Sequence, residues 1–206
     1  MTKYSTVILA DGTFPSHEIP LKILEEADHI ICCDGAVRKL LNYGKKPDAI
    51  IGDLDSLSLE LRKEFSSITH RFRSQEINDL TKSVNWCIKQ GFNDIAILGA
   101  TGEREDHTLG NIFLLPLYAK NRNISMFTDF GSFQALLQSG EMKSYPGQQI
   151  SIFCNDPKLK ITTSGLLYPI QNKALDMLWM GTLNEALCNS FSLSFEHGVV
   201  IVFRQY

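Results

Sequence analysis

The stretch Ile50-Ile51-Gly52-Asp53-Leu54-Asp55-Ser56 leads from apolar, strand-forming residues through a glycine to two closely spaced carboxylates. In an extended segment, residues two apart point to the same side and lie roughly 6.6 Å apart along the strand. Carboxylates this close repel each other unless a cation lies between or beside them. Mg²⁺ suits such a pair, because it is a hard ion that takes oxygen ligands and is often shared with substrate phosphates. The alternative is a solvated acidic turn after a strand. The polar clusters elsewhere in the sequence distinguish the two interpretations.

Short apolar runs alternate with helical patterns over the first two-thirds of the chain. This alternation is typical of a parallel sheet with helices on its faces. Gly44 and Gly91 stand where two of the helices are expected to end. The predicted strands are 6–10, 29–33, 49–51, 68–71, 95–98 and 124–128, and the predicted helices are 21–26, 36–42, 59–65, 78–90 and about 106–119.

From about residue 130 the pattern changes to short runs rich in β-branched and aromatic residues, separated by turn signals such as Pro146-Gly147 and His197-Gly198. We predict strands at 142–145, 149–153, 159–162, 190–195 and 199–203, which form an antiparallel β-sandwich or half-barrel. The predicted fold class is therefore α/β. A parallel-sheet, Rossmann-like domain over residues 1–138 is followed by a small antiparallel β-sandwich domain over residues 139–206.

The composition argues against several classes of function. The 206 residues carry 20 Lys and Arg against 23 Asp and Glu, so no basic excess favours binding to nucleic acid. The apolar run at 6–10 is too short for a secretory signal or a membrane span, and no membrane association is expected. The five cysteines lack a repeated Cys-x-x-Cys spacing, so we expect a protein of the reducing cytoplasm.

Further polar clusters follow other predicted strands, at the edge of an open parallel sheet where ligands bind. Asp34-Gly35 follows the second strand, although an aspartate at that position is equally consistent with a helix N-cap. The run Asn78-Asp79-Leu80-Thr81-Lys82 enters the long helix. A structural account of this run also exists, because Asn78 is a candidate N-cap and Asp79 favours the positive end of the helix.

The most informative cluster is Gly99-Ala100-Thr101-Gly102-Glu103-Arg104-Glu105-Asp106-His107, which follows the fifth strand and opens the last helix. Glycines in such a turn let backbone N–H groups approach phosphate oxygens, and Arg104 offers a fork of donors suited to phosphate. Asp106 can ligate a metal or accept a proton, and His107 lies one helical turn from Asn111. Taken alone, His107 is more typical of a half-buried structural histidine. Together the clusters indicate a site for a cation and a phosphate.

In their order and spacing, these blocks resemble the thiamine pyrophosphokinase (thiamine diphosphokinase) family. The family patterns Gly-Asp-x-Asp-Ser, acid-x-Thr-Asp continued as Phe-Thr-Lys, and Gly-Gly-Arg-x-Asp-His-x-x-x-Asn are similar to residues 52–56, 75–82 and 102–111. Asp34-Gly35 is similar to an earlier Asp-Gly of the family. In the last third, residues 165–169 and 181–185 resemble its Gly-Leu-x-Tyr-x-Leu and Gly-x-Ser-Asn-Glu. The resemblance covers essentially the whole chain.

Four positions depart from the family patterns. Glu103 replaces the second glycine of the Gly-Gly-Arg turn, which puts the approach of the backbone to phosphate in doubt. Glu76 and Asn78 stand where Asp and Thr are usual, and Leu183 replaces the Ser that helps to hold thiamine. None of the four removes an aspartate expected to bind metal.

The resemblance implies transfer of a pyrophosphoryl group from ATP to the hydroxyl of thiamine, giving thiamine diphosphate and AMP. It implies that Asp53, Asp55 and Asp79 hold Mg²⁺, with Asp34 as an outer ligand. Arg104 is then expected to neutralise phosphate together with Lys82, and Asp106 is the candidate base, with metal ligation as the alternative. The other residues expected at the ATP and Mg²⁺ site of the N-terminal domain are Gly35, Ser56, Asn78, Thr81, Gly102, His107 and Asn111.

Thiamine is a flat cation that needs an apolar slot, an aromatic face and one or two hydrogen-bond partners. The β domain offers Trp179, Leu183 and Asn184 as candidates, although a tryptophan is more often a core residue. In the family the thiamine site lies between the catalytic domain of one subunit and the β domain of the other. The resemblance therefore implies a homodimer with a shared active site.

Three other classes remain open at this stage. A metal-dependent phosphodiesterase also uses acidic clusters and an Asp-His pair, but it leaves residues 181–185 and the appended β domain unexplained. Glycosyltransferases use Asp-x-Asp with a nucleotide, but they lack the Arg-x-Asp-His turn. A non-catalytic module that senses thiamine or a nucleotide is the third, for which Glu103 and Leu183 are the available evidence.

Overall fold

The computed structural model describes residues 4–120 and 122–206, and the chain divides into two compact units. The first unit extends to Ile112 and also includes Arg122–Asp129. The second comprises Phe130–Tyr206 together with the segment that begins at Phe113. An α/β part is thus followed along the chain by a β part, as the sequence predicts.

The first unit alternates strands and helices. Its elements are β1 (Thr6–Leu9), α1 (Glu18–Glu26), β2 (His29–Cys33), α2 (Val37–Asn42), β3 (Ala49–Gly52), α3 (Leu59–Glu64), β4 (Thr69–Arg71), α4 (Asp79–Lys89), β5 (Asp94–Leu98) and β6 (Asn123–Phe127). A further helix, α5 (Glu105–Tyr118), begins in this unit. Within the described residues, no helix has both the length and the apolar character needed to cross a membrane.

The strands of the first unit form a parallel sheet in the order β6-β5-β1-β2-β3-β4. All four residues of β1 and of β3 are buried, as expected for a parallel sheet with helices on both faces. Leu24 of α1 and Leu40 of α2 join Val7 and Leu9 of β1 in one apolar core. Burial of these side chains, worth about 1.5–3 kcal/mol each, holds the helices against the sheet.

The sheet changes winding direction beside β1. The chain passes from β1 outward to β4 and then returns to place β5 on the opposite side of β1. Such a reversal leaves a crevice at the carboxyl ends of the two central strands, where ligands bind to doubly wound sheets. The segments that leave these strands are the β1 loop (residues 10–13) and the β5 loop (residues 99–104).

The β1 loop and the β5 loop are joined by backbone hydrogen bonds. The N–H of Gly12 donates to the carbonyl of Gly99 at 2.6 Å, and the N–H of Thr13 donates to that of Thr101 at 2.9 Å. A Cβ on Gly12 would lie 2.5 Å from the carbonyl oxygens of both Gly99 and Thr101. The contact between the loops therefore requires glycine at position 12.

The second unit consists of antiparallel strands. They are β7 (Gly131–Leu136), β8 (Gly140–Lys143), β9 (Gln149–Phe153), β10 (Lys160–Ser164), β11 (Lys173–Ala174), β12 (Asn184–Glu185), β13 (Ser190–Ser194) and β14 (Val200–Gln205). One group pairs in the order β12-β9-β14-β7 and another in the order β11-β10-β13-β8. Ile150, Ile152, Ile161 and Phe191, drawn from both groups, share one buried core. The predicted β-sandwich is confirmed.

Some helices and strands begin or end at other residues than predicted, because local side-chain interactions decide where they start. Helix α1 begins at Glu18 rather than at residue 21, because Pro20 falls in the first turn, where its missing N–H costs nothing. The ring nitrogen Nδ1 of His17 caps this helix by accepting the N–H of Ile19 at 3.2 Å. The short strands β11 and β12 and the strand β7 were not predicted.

We expect Gly12→Ala to lower the free energy of unfolding by about 1–3 kcal/mol, because the new methyl group meets two backbone carbonyls that cannot rotate away. Gly110→Ala is the matched control, since Gly110 lies inside α5 with no atom within 4 Å of an added Cβ. That control should gain about 0.5–1 kcal/mol from reduced backbone entropy in the unfolded chain. Urea unfolding measures both changes, and equal effects would contradict the close approach of the two loops.

Candidate active site

Three carboxylates meet at the carboxyl edge of the parallel sheet. Asp34 follows β2, Asp53 follows β3, and Asp79 opens α4. One oxygen of each lies within 4.8 Å of the others. We refer to Asp34, Asp53 and Asp79 as the carboxylate group. The sequence predicts this convergence, because parallel strands present their carboxyl ends along one edge.

Asp34 is the most buried member of the carboxylate group. Its Oδ1 accepts the N–H of Gly35 at 2.8 Å, whereas its Oδ2 is buried without a hydrogen-bond partner in the described part of the chain. Burial raises the pKa of Asp34, and repulsion by Asp79 raises it further. A Cβ on Gly52 would lie 2.7 Å from Cγ of Asp34, so the glycine at the end of β3 leaves room for this carboxylate. A buried acceptor without a donor is a position where a cation is favourable.

Asp53 and Asp79 each have a polar partner. The backbone N–H of Asp55 and the side-chain amide of Gln75 donate to Asp53, both at 3.0 Å, and they lower the pKa of its carboxyl. Lys82 donates to Asp79 at 2.8 Å, one turn along α4. The side chain of Lys82 is only 3% exposed, and its positive charge beside Asp79 reduces the repulsion within the carboxylate group.

The predicted pairing of Asp53 with Asp55 on one side of a strand is wrong. Strand β3 ends at Gly52, and Leu54 has φ 75, in the left-handed region. The alternation of an extended segment does not apply across such a turn. Asp55 is exposed and does not belong to the carboxylate group, whereas Asp34, predicted as an outer ligand, takes its place.

Asn78 connects three segments around the site. Its Oδ1 accepts the N–H of Thr81 at 2.9 Å and the hydroxyl of Thr81 at 2.6 Å, which confirms the predicted N-cap of α4. Its amide nitrogen donates to Oδ1 of Asn111 at 3.1 Å. Asn111 in turn donates to the carbonyl of Ala100 in the β5 loop at 2.8 Å. The two asparagines therefore fix the start of α4 relative to α5 and the β5 loop.

Arg104 and Asp106 form an exposed ion pair at the start of α5. Nε and Nη2 of Arg104 donate to the two carboxylate oxygens of Asp106 at 3.1 and 2.6 Å. Together with the backbone N–H of His107, these bonds lower the pKa of Asp106 to about 2. The side chain of His107 is exposed, contrary to the half-buried position that is typical of a structural histidine.

A cavity of about 560 Å³ opens between the carboxylate group and the β5 loop. It lies at the crevice beside β1, where the sheet reverses its winding. Ten of the predicted residues line it: Asp34, Asp53, Ser56, Asn78, Asp79, Lys82, Gly102, Arg104, His107 and Asn111. The other predicted residues of this unit, Gly35, Asp55, Thr81 and Asp106, flank it without lining it.

Sequence reasoning missed two charged residues near this cavity. Asp11 lines it from the β1 loop, and Lys39 of α2 contacts Asp11 at 3.0 Å. The signal for Asp11 was present, because Asp11-Gly12 follows β1 as Asp34-Gly35 follows β2. Lys39 had no such signal, since a lysine inside a short helix usually faces solvent.

The predicted thiamine-binding residues lie in the second unit. Leu183 and Asn184 line a cavity of about 400 Å³ there. Asn184 is buried, and its side chain bonds both the N–H and the carbonyl of Tyr168, at 3.0 and 2.7 Å. Leu183 has φ 57 and is 74% exposed. Trp179 is 72% exposed, so it is not a core residue.

The family comparisons cover nearly the whole chain. The model described as thiamin pyrophosphokinase, catalytic domain, matches residues 21–128, and that described as thiamin pyrophosphokinase, substrate-binding domain, matches residues 131–203. Thiamine pyrophosphokinase from Bacillus subtilis is 30% identical over an alignment of 188 positions, gaps included, which covers 80% of this chain and 81% of the relative. Thiamin pyrophosphokinase 1 from Caenorhabditis elegans is 24% identical over an alignment of 166 positions, gaps included, which covers 73% of this chain and 68% of the relative.

Solved structures share the fold. The crystal structure of thiamine pyrophosphokinase from Bacillus subtilis matches with a TM-score of 0.78 and 24% identity, covering 97% of this chain and 98% of that chain. The yeast thiamin pyrophosphokinase structure matches with a TM-score of 0.78 and 17% identity, covering 100% of this chain and 88% of that chain. With two family models that match consecutive parts of the sequence, the chain belongs to the thiamin pyrophosphokinase family.

Proposed function

We propose that this protein is a thiamine diphosphokinase, which transfers a pyrophosphoryl group from ATP to the hydroxyl of thiamine and releases AMP. The observation that carries the proposal is the carboxylate group, Asp34, Asp53 and Asp79, beside a cavity at the winding reversal of the sheet. This arrangement lies within the segment that matches the family's catalytic domain. We assign ATP and the metal to the N-terminal part, residues 1–138, and thiamine to residues 139–206.

The carboxylate group fits Mg²⁺. Its members offer hard oxygen ligands, and although the backbone N–H groups of Gly35 and Leu54 act on the Asp34 carboxylate, no hydrogen bond reaches its buried Oδ2 within the described residues. Bound there, Mg²⁺ would neutralise charge on the polyphosphate of ATP. Asp55 does not belong to the carboxylate group, but its backbone N–H donates to Asp53 at 3.0 Å, so we propose that it acts on the metal indirectly.

Two cations are placed to act on phosphate. Arg104 lines the cavity at the N-terminal end of α5. Because its side chain is exposed, its guanidinium is able to leave Asp106 for a phosphate group. Lys82 lies beneath Asp79 and contributes positive charge near the same region. Stabilisation of this kind supplies most of the rate in phosphoryl transfer, because charge spreads over the transferring group and the departing oxygen of AMP.

Asp106 is our candidate for the acceptor of the thiamine proton. Its pKa of about 2 makes it fully ionised but weakly basic while Arg104 is bound to it. If Arg104 turns to a phosphate, the two hydrogen bonds from its guanidinium are lost while that from the N–H of His107 remains, so the pKa and the basicity of Asp106 increase. We propose that nucleotide binding prepares the base in this way, as the thiamine oxygen attacks the β-phosphorus and AMP departs.

Thiamine is assigned to the second unit, whose segment matches the family's substrate-binding domain. Leu183 and Tyr168 offer apolar surface beside a cavity of about 400 Å³, and the exposed indole of Trp179 is suited to a cationic ring. Asn184 holds the backbone of Tyr168, so its part in binding is to shape the cavity.

Exposed apolar side chains support the proposal of a homodimer. Tyr168, Met177, Trp179 and Leu183 are each at least 60% exposed and lie within one stretch of the second unit. Such residues indicate a surface that is covered in the working protein. We propose that a second copy of the chain covers it.

A reducing compartment, the cytoplasm, fits five free cysteines of which four are buried.

The function is tested by incubating the purified protein with ATP, Mg²⁺ and thiamine and following AMP and thiamine diphosphate. We expect the two products in equal amounts and no AMP without thiamine. AMP formed without thiamine would instead support a phosphodiesterase. Tight binding of thiamine or nucleotide without turnover would support a sensing module, and either result would contradict the proposed transfer.

Variants in the same assay separate the proposed roles. Asp53→Asn should abolish turnover that depends on Mg²⁺, because it removes a carboxylate from the metal site, whereas Glu60→Gln on exposed α3 removes one charge elsewhere as the control. Asp106→Asn should lower kcat about 10²- to 10⁴-fold with little change in the KM for ATP. Normal turnover in Asp106→Asn, together with loss in Asp53→Asn, would rule out Asp106 as the base.

Light scattering tests the proposed dimer. We expect a species of twice the 23.2 kDa of one chain. In the activity assay, we expect Trp179→Ala to raise the KM for thiamine more than the KM for ATP. Tyr145→Ala is the control, because Tyr145 is also an exposed aromatic residue of the second unit but lies outside the stretch from Tyr168 to Leu183. An active species of 23.2 kDa alone would contradict a shared site.

A further inference from the structure

Lys39 joins the two loops that border the cavity of the first unit. Its ammonium donates to the carbonyl oxygens of Asp11 and Gly12 at 2.9 and 2.8 Å, both in the β1 loop. It also lies 3.0 Å from the carboxylate of Asp11 and 2.8 Å from that of Glu103 in the β5 loop. Four oxygens from two loops thus surround one charged nitrogen.

Glu103 occupies a backbone conformation that is unfavourable for a glutamate. Its φ of 57 lies in the left-handed region, which residues with a Cβ rarely adopt. A residue in such a conformation is held there by its surroundings and is often part of a functional site. A backbone hydrogen bond from the N–H of Arg104 to the carbonyl of Gly102, at 2.6 Å, closes the turn around Glu103, and the side chain of Glu103 forms a 2.8 Å ion pair with Lys39.

The cavity is lined by more acidic than basic side chains, so the ion pair between Lys39 and Glu103 affects the charge that a ligand meets. Six acidic residues line it, namely Asp11, Asp34, Asp53, Glu76, Asp79 and Glu103, against the two cations Lys82 and Arg104. A bound metal ion would offset the carboxylate group, but Asp11 and Glu103 lie outside that group. A polyphosphate that enters the cavity would therefore meet two further negative charges unless they are neutralised.

Lys39 is suited to neutralise them. Partial burial alone would lower its pKa, but the bonds to Glu103 and Asp11 raise the pKa overall, so the ammonium stays charged. Because Lys39 is itself held by both carboxylates and two carbonyls, it acts on the ligand through Asp11 and Glu103.

We propose that Lys39 is a positioning residue for the nucleotide: it neutralises Asp11 and Glu103 and ties the β1 loop to the β5 loop, which opens the cavity to a polyphosphate. This inference rests on the proposed function and adds to it the residue that admits the nucleotide. It assigns Glu103 the role of holding Lys39 between the loops.

The test compares Lys39→Met with Lys39→Arg in the full-length protein. Lys39→Met should raise the KM for Mg-ATP about tenfold or more while the KM for thiamine and kcat change less than about threefold. Lys39→Arg keeps the positive charge and should restore most of the affinity for Mg-ATP. An unchanged KM for Mg-ATP in a folded Lys39→Met protein would overturn the proposal, and so would equal increases in both KM values.

A double variant separates the electrostatic role from a merely structural one. Glu103→Gln removes one of the charges that Lys39 neutralises, so Lys39→Met combined with Glu103→Gln should have a lower KM for Mg-ATP than Lys39→Met alone. A structural role predicts additive losses instead, which would contradict the proposal. If Lys39→Met does not fold, Asp11→Asn combined with Glu103→Gln provides the test, since removal of both carboxylates should lower the KM for Mg-ATP.

Calorimetric titration with a non-hydrolysable ATP analogue and Mg²⁺ distinguishes failure of this inference from failure of the proposed function. Weaker binding of the analogue to Lys39→Met than to the wild-type chain supports the role of Lys39 even if no thiamine diphosphate forms. Equal binding by both proteins overturns the inference and leaves the transfer reaction intact. No binding by the wild-type chain overturns both.

Discussion

Repulsion among three carboxylates is the constraint on which the site depends. Asp34, Asp53 and Asp79 come from different segments, yet their oxygens lie within 4.8 Å. Lys82 beneath Asp79 and the N–H of Gly35 beside Asp34 offset part of the repulsion, but Oδ2 of Asp34 still has no donor among the described residues. A divalent cation is the partner that satisfies all three carboxylates at once. The glycine at the end of β3 is required by this arrangement, because a side chain there would displace Asp34.

The winding reversal of the sheet places this cluster of charges beside a cavity. The β1 loop and the β5 loop leave adjacent strands and hydrogen-bond to each other, so the cavity is bordered by backbone that cannot collapse into it. Arg104 and Asp106 form an ion pair at the start of α5, and the proposed function has a phosphate take Arg104 from this pair and so raise the basicity of Asp106. Glu103, which departs from the family pattern, forms an ion pair with Lys39.

The sequence was sufficient to predict the α/β class, most strands of the parallel sheet and the convergence of Asp34, Asp53 and Asp79. These follow from local periodicity and from the rule that parallel strands end at one edge. The sequence was insufficient to predict that Asp55 lies outside the carboxylate group. The left-handed backbone at Leu54 depends on how the turn packs and is rare for a leucine. Lys39 could not be predicted either, since its partners lie 28 and 64 residues away along the chain. Trp179 was named as a candidate for thiamine, but its exposure could not be predicted, because tryptophans are usually well buried.

The most direct measurement of the central claim is a crystal structure with Mn²⁺ in place of Mg²⁺ and a non-hydrolysable ATP analogue, with the metal located by its anomalous scattering. The account predicts Mn²⁺ among the oxygens of Asp34, Asp53 and Asp79, and phosphate oxygens of the analogue on the same ion. It would be contradicted by a structure in which these three side chains point to solvent and the metal and the nucleotide bind elsewhere.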